Sequence, residues 1–269
     1  MNIGKYNFDL EKEPVIMGIL NVTPDSFSDG GSYTDVDVAV EHAKEMIKEG
    51  ADIIDVGGES TRPGHKFVSS EEEIKRIVPV IKNLKKEVHI PLSIDTYKAD
   101  VAEEALKLGV DMVNDVWGLT YDGNMADVIG KYNASVCIMH NQENTEYDKD
   151  IIESIKEFLQ NSIDKALNAG VKKENIVLDP GIGFGKTFEQ NLEVLKRLNE
   201  LQDLGYPILL GTSRKSVLGN IVGGEPKERV EATVATTVSG IRDGVDIVRV
   251  HDVKENIQAA KVADKLYRG

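Results

Sequence analysis

Cysteine is almost absent: Cys137 stands alone, so no internal disulfide can form and a thiolate-rich metal site is excluded. In the apolar run ASVCIM it reads as a small buried thiol. Long hydrophobic runs are missing too. Stretches such as 15–20 and 208–210 fall far short of the ~20 residues that a membrane span requires, so no transmembrane helix and no membrane partner are expected. The opening MNIGKYNFDL lacks a basic stretch followed by an apolar one; no secretory signal is expected, and a cytoplasmic location is. Close histidine pairs are lacking among His42, His65, His89, His140 and His251, which argues against a tight zinc site. His42 and His89 read as surface or packing residues, leaving His140 and His251 as site candidates. A basic surplus is absent as well. With 32 basic against 46 acidic residues the net charge is −14, which disfavours nucleic acid and anionic lipid, although a small anion can bind where a few cations converge.

What remains is ordinary globular material: 41% hydrophobic and 29% charged residues exclude a disordered, collagenous or coiled-coil chain. The length of 269 residues is somewhat under two average domains, but it also suits one α/β barrel of about 250 residues. Short β-like runs begin near Val15, Asp52, Pro91, Asp111, Ser135, Ile176, Ile208 and Asp246. Helical periodicity lies between them, as in Ala39, Val40, Ala43, Met46 and Ile47, then in Ile74, Ile77, Val78, Ile81 and Leu84 behind a Ser70…Glu73 capping box. Eight β-then-α units predict an α/β fold of the closed (β/α)8 TIM barrel type. The alternative, an open doubly wound sheet, would put its phosphate-binding glycines in the first βα turn, whereas here glycines follow several strands. No linker, repeat or low-complexity segment divides the chain, so a single domain over 1–269 is expected.

Polar residues recur at the strand exits: Asn21, Asp55, Asp95, Asn114, Asp115, His140, Asp179, Lys215, Arg249 and His251. On a barrel these would converge at one mouth, where carboxylates, amides and cations suit a polar heterocycle carrying an anionic group. Asp55 and Asp115 have a plainer reading as caps of the following helix. The stretch GIGFGKT at 181–187 is one residue short of a nucleotide phosphate loop, and its third glycine comes too early for a dinucleotide fingerprint.

The segments MGILNVTPDSFSDGG at 17–31, GGESTRPG at 57–64, SIDTYK at 93–98, NDV at 114–116, MH at 139–140, DPGIGFGK at 179–186, GTSRKS at 211–216 and RVHDV at 249–253 together resemble the dihydropteroate synthase family. The resemblance implies a pterin-binding barrel that joins 6-hydroxymethyl-7,8-dihydropterin pyrophosphate to p-aminobenzoate in folate synthesis. Pyrophosphate is released, and sulfonamides compete with p-aminobenzoate. It further implies Mg2+ as cofactor and a homodimer.

Residue chemistry agrees. A carboxylate at Asp179 can accept an amine and a ring N–H in parallel, each charge-assisted bond being worth roughly 1.5–3 kcal/mol. Lys215 can donate to the pterin carbonyl, Asn114 can both donate and accept, and Met139 can form an apolar wall. By similarity, Asp95 faces the ring nitrogens that share positive charge as the C–O bond to pyrophosphate breaks. Asp95, Lys215 and Arg249 are thus the candidate catalytic residues. Arg249, His251 and Asn21 would hold pyrophosphate, with the Asn21 amide oxygen as a Mg2+ ligand. Arg62, Lys186, Lys215 and Arg249 would make the mouth locally positive despite the overall charge. The resemblance assigns p-aminobenzoate to Phe27, Thr61, Arg62, Pro63 and Ser216, the last through backbone N–H groups at a helix start. Two departures, Val217 where an aromatic is common and Ala232 where glycine is, should affect packing alone. The competing functions are a pterin-dependent methyltransferase and a pterin-binding protein without turnover.

Overall fold

The computed structural model describes residues 1–23, 32–60 and 67–269. An antiparallel hairpin of β1 (Asn2–Ile3) and β2 (Tyr6–Asn7) leads into an alternating chain. Its first half runs β3 (Val15–Asn21), α1 (Ser32–Glu49), β4 (Ile53–Gly57), α2 (Ser70–Glu87), β5 (Leu92–Asp95), α3 (Ala99–Lys107), β6 (Met112–Asp115) and α4 (Met125–Tyr132). The second half runs β7 (Ser135–Met139), α5 (Ile151–Asn168), β8 (Ile176–Asp179), α6 (Phe188–Lys196), β9 (Leu209–Leu210), α7 (Ser216–Val222), α8 (Val230–Arg242), β10 (Ile247–Val250) and α9 (Val253–Tyr267).

The parallel strands lie in the order β8-β7-β6-β5-β4-β3-β10-β9. A parallel bridge between Leu178 and Ile208, with the Leu178 N–H donating to Pro207 O at 2.9 Å, joins the two ends. The fold is therefore the (β/α)8 barrel expected from the alternation. The run near Ile208 yields only the two-residue β9, and an additional helix, α8, follows α7.

Strand period places the site. Ile54 and Val56 of β4 join the large core between barrel and helices, whereas Ile53 belongs to an inner cluster with Met17, Met112, Cys137, Val177, Leu209 and Ile247. Side chains alternate across a strand, so residues two positions farther along point the same way. Asp55, Asn114, Met139, Asp179 and Arg249 each stand two residues beyond a member of this apolar layer. Full burial of each such apolar side chain contributes roughly 1.5–3 kcal/mol, and together they form the floor on which the polar layer rests. The hairpin plugs the floor from below with Ile3, while Ser135 Oγ donates to Asn2 O at 2.8 Å.

Helix α2 starts one residue earlier than the anticipated capping box. Ser69 accepts from the Glu72 N–H, and Glu73 is buried with its carboxylate on Lys98 instead of turning back to the helix end. Val217 is buried and Ala232 packs against the same core, so both departures concern packing.

Candidate active site

Arg249 reaches from β10 across β3 to two carboxylates. Its Nε lies 2.6 Å from Asp55 Oδ2 and its Nη2 lies 2.6 Å from Asp95 Oδ2. Asn114 Nδ2 donates to the same Asp55 oxygen at 3.1 Å. Asp55 is wholly buried and does not cap a helix; it is a structural hub of the site that the sequence reading assigned to capping. Burial works against the charge on Arg249, but Asp55 and Asp95 outweigh it and hold the guanidinium pKa above its usual value. Burial, reinforced by Asp55 and Glu73 and opposed by Arg249, pushes Asp95 up to about 7. The second oxygens of Asp55 and Asp95 and the Ser93 hydroxyl are buried with no partner among the described residues. Such groups are costly unless a ligand or water takes them.

The opposite arc is built by β8, β9 and the loops beyond them. Asp179 Oδ1 accepts the Gly181 N–H at 2.7 Å, and burial raises its pKa against the pull of Lys215. Gly211 brings its backbone near: a Cβ there would sit 3.8 Å from Asp179 Oδ2. The Lys215 ammonium donates to Ile182 O and lies 4.6 Å from the centre of the Phe184 ring. Burial lowers its pKa to about 8, with Asp179 opposing. Met139 is buried with Tyr97 and Val116, flanked by Trp117 and Phe184. One polar arc and one apolar patch suit a flat ring with a hydrogen-bonding edge.

At the rim, Asn21 ends β3 half-buried, and His251 Nδ1 lies 2.9 Å from Ser213 Oγ. Ser213 also accepts the His251 N–H at 3.1 Å, so it fixes the imidazole beside Arg249. Ser216 opens α7 and is exposed. Phe27, Thr61, Arg62 and Pro63 lie outside the described residues. Lys186 does not present a free ammonium to a ligand: it is buried among carbonyls of its own loop with His140 beside it, although its charge still acts on Asp179. Asp115 accepts from the Trp117 and Leu119 N–H groups, both at 2.8 Å, which makes it a turn residue and not the helix cap of its plainer reading, since Asn124 stands at the start of α4.

A second buried cluster escaped the sequence reading. Lys98 bonds both Glu59 and Glu73, while the other Glu59 oxygen accepts the Val68 N–H at 2.9 Å. Tyr97 Oη donates to Glu59 at 3.1 Å. Glu59 thereby ties together chain on both sides of 61–66. Its only sequence signal is a charged residue within an apolar and glycine-rich stretch.

Among the described residues no group of three His, Cys, Asp or Glu side chains is arranged to hold a metal.

Residues 17–251 match the family profile of pterin binding enzymes. The chain is 59% identical to the dihydropteroate synthase of Clostridium beijerinckii over the whole of both chains. A crystal structure of dihydropteroate synthase from Clostridium difficile in the presence of pteroic acid superposes with a TM-score of 0.96 at 70% identity, covering 98% of this chain and all of that one. The Xanthomonas albilineans enzyme with 4-aminobenzoic acid gives 0.90 at 40% identity, covering 95% and 94% of the respective chains.

Proposed function

From the premise that the chain belongs to the dihydropteroate synthase family of pterin binding enzymes, we propose that its polar ring binds 6-hydroxymethyl-7,8-dihydropterin pyrophosphate and transfers the pterin methylene to p-aminobenzoate. The observation that carries this reading is the convergence of Asp179, Asn114 and Lys215 with the Asp95–Arg249 pair on one buried floor. Asp179 accepts the amine and ring N–H, Lys215 donates to the ring carbonyl, Asn114 meets the remaining edge, and Met139 supplies an apolar face.

As the C–O bond breaks, pyrophosphate leaves with the electron pair and positive charge spreads into the ring. Asp95 has an unpaired oxygen among the described residues and stabilises that charge as a fixed carboxylate. The amine of p-aminobenzoate then attacks the methylene carbon and gives up a proton. Arg249 commits two of its five N–H donors to Asp55 and Asp95, which leaves donors for pyrophosphate beside His251 and Asn21. A hard ion that keeps its waters suits amide and phosphate oxygens, so Mg2+ arriving with the pyrophosphate would be held by the Asn21 amide oxygen, phosphate oxygens and water. Bound there, the ion would offset charge on the leaving group. Phe27, Thr61, Arg62, Pro63 and Ser216 are assigned to p-aminobenzoate by family resemblance; of these only Ser216 lies within the described residues.

Exposed Val262, Leu266 and Tyr267 on α9 support a homodimer through that helix, which sedimentation of the Leu266→Glu variant would test. No helix among the described residues is long and apolar enough to cross a membrane, and a cytoplasmic folate enzyme agrees with that.

The deciding experiment mixes the protein with dihydropterin pyrophosphate, p-aminobenzoate and Mg2+. Equal amounts of dihydropteroate and pyrophosphate are expected. Ring binding without pyrophosphate release would favour a methyltransferase or a binding protein. Asp179→Asn should cost at least ~2 kcal/mol of ring affinity, the scale of a charge-assisted bond.

A further inference from the structure

The GIGFGKT stretch is not a phosphate loop, yet it is wrapped around a charge. A phosphate loop turns backbone N–H groups onto an anion. Here the polarity is reversed, with carbonyls turned onto a cation. Lys186 Nζ donates to Gly181 O at 2.9 Å and to Phe184 O at 3.0 Å, and lies 2.9 Å from His140 Nδ1. These three acceptors match the three hydrogens of the ammonium and so favour the charged form against burial, which lowers the Lys186 pKa to about 7 with Asp179 opposing. The side chain is 8% exposed. Glycine makes the wrap possible: Gly181 has φ of 71°, and a Cβ there would fall 1.9 Å from His140 O.

His140 suits the role of acceptor. Burial and the neighbouring Lys186 charge hold its pKa down to about 2, and an ammonium that can only donate at Nδ1 assigns the ring proton to Nε2. Tyr147 stacks on it at 6.1 Å and the Phe158 edge packs at 4.9 Å, which fixes the direction of Nδ1.

The same loop touches two residues of the ring site. The Gly181 N–H holds Asp179, Ile182 O accepts from Lys215, and the Phe184 ring lies against the Lys215 ammonium. Each of these groups is next to, or the same as, a residue whose carbonyl Lys186 grips. We infer that Lys186, seated on His140 Nδ1, is a positioning residue for ring recognition: it holds the 181–185 turn in the shape that aims Asp179 and Lys215 at the pterin. This rests on the reading that Asp179 and Lys215 bind the ring.

The test compares two probes by calorimetry, 6-hydroxymethylpterin and inorganic pyrophosphate with Mg2+, below the melting transition of every variant. Lys186→Met is expected to weaken the pterin at least tenfold and pyrophosphate less than twofold. In turnover, KM for dihydropterin pyrophosphate should rise about tenfold while KM for p-aminobenzoate stays within twofold. A role in stability alone would not split the substrates in this way. Because Lys186→Met leaves carbonyls without a donor and can fail to fold, a second pair decides independently. His140→Asn keeps an acceptor and should retain most pterin affinity, whereas His140→Leu should lose it about tenfold. Equal pterin binding by the wild type and Lys186→Met, or by His140→Asn and His140→Leu, overturns the inference. Failure of the wild type to bind the pterin at all removes the ring-binding reading and this inference with it.

Discussion

Arg249 and Asp55 stand 194 residues apart in the chain and meet at 2.6 Å inside the barrel, with β3 between their strands. Asp55 is withdrawn from water and Arg249 largely so. In that setting the attraction must offset two desolvation penalties, and a pair of this kind is worth most when its geometry is fixed by further bonds. Asn114 on Asp55 and Asp95 on Arg249 supply them.

Removing Asp55 should therefore cost more than one contact. Asp55→Ala leaves Arg249 with Asp95 alone and takes the acceptor from Asn114. A stability loss of about 3 kcal/mol or more is expected in denaturant titration, the range seen when one partner of a buried pair is deleted. Asp55→Asn should fall between this variant and the wild type. A change below about 0.5 kcal/mol in Asp55→Ala would show that the pair does not support the floor.

Arg249 should discriminate between two forms of the first substrate. Arg249→Ala is expected to weaken the pyrophosphate ester about a hundredfold and the pterin alcohol only a few-fold, as read by calorimetry. Arg249→Lys should recover little, because an ammonium cannot bridge two carboxylates and an anion with a planar fork. Comparable losses for ester and alcohol would mean that Arg249 does not engage the pyrophosphate.

Ring affinity should pass through a narrow pH optimum. Asp95 must be ionised, and burial has moved it up to about 7; Lys215 must be protonated, and burial has moved it down to about 8. Affinity then rises as pH climbs through the lower value and falls beyond the higher one. Fluorescence titration of the bound pterin reads the profile. Lys215→Arg should shift the alkaline limb out of range and leave the acid limb in place, and a flat profile from about pH 6 to 9 would count against these roles.

His140 makes acid stability a separate test. Its folded pKa, about 2, lies below the ordinary histidine value of 6.5 because burial disfavours the charged ring. Between those values the unfolded chain binds the extra proton, so stability falls as pH drops below 6.5 and is fully present above it. The slope from this one group is up to about 1.4 kcal/mol per pH unit. His140→Asn should flatten that part of the curve in melts taken from pH 6.5 to 4, and an unchanged slope would mean that His140 titrates normally.

Much of the barrel was legible because short apolar runs alternate eight times with helical periodicity; the apolar and polar layers, as in Ile53 with Asp55 and Val177 with Asp179, emerge only when strand geometry turns every second residue inward. The ring residues were legible through their common position at strand exits. Asp55 was not, since a carboxylate there caps a helix or enters a site with the same local sequence, and its partner lies at the far end of the chain. Lys186 misled for another reason. The direction of a side chain leaving a glycine-rich loop depends on positive φ angles at Gly181, Gly183 and Gly185, which residue type permits without dictating. The N-terminal hairpin has strands of two residues, too short to show a period.

The ring of strands is thinnest between β8 and β9, where a single bridge at Leu178 and Ile208 stands in for a ladder. Asp179 follows directly on one side of that join, and Lys215 hangs from the other. A ligand gripped by both, as proposed for the pterin, would act as a suture. Part of its binding free energy would go into keeping the barrel shut, so amides flanking the seam, which open locally, are expected to gain protection from exchange on ligand binding beyond the global stabilisation that amides between β4 and β5 share.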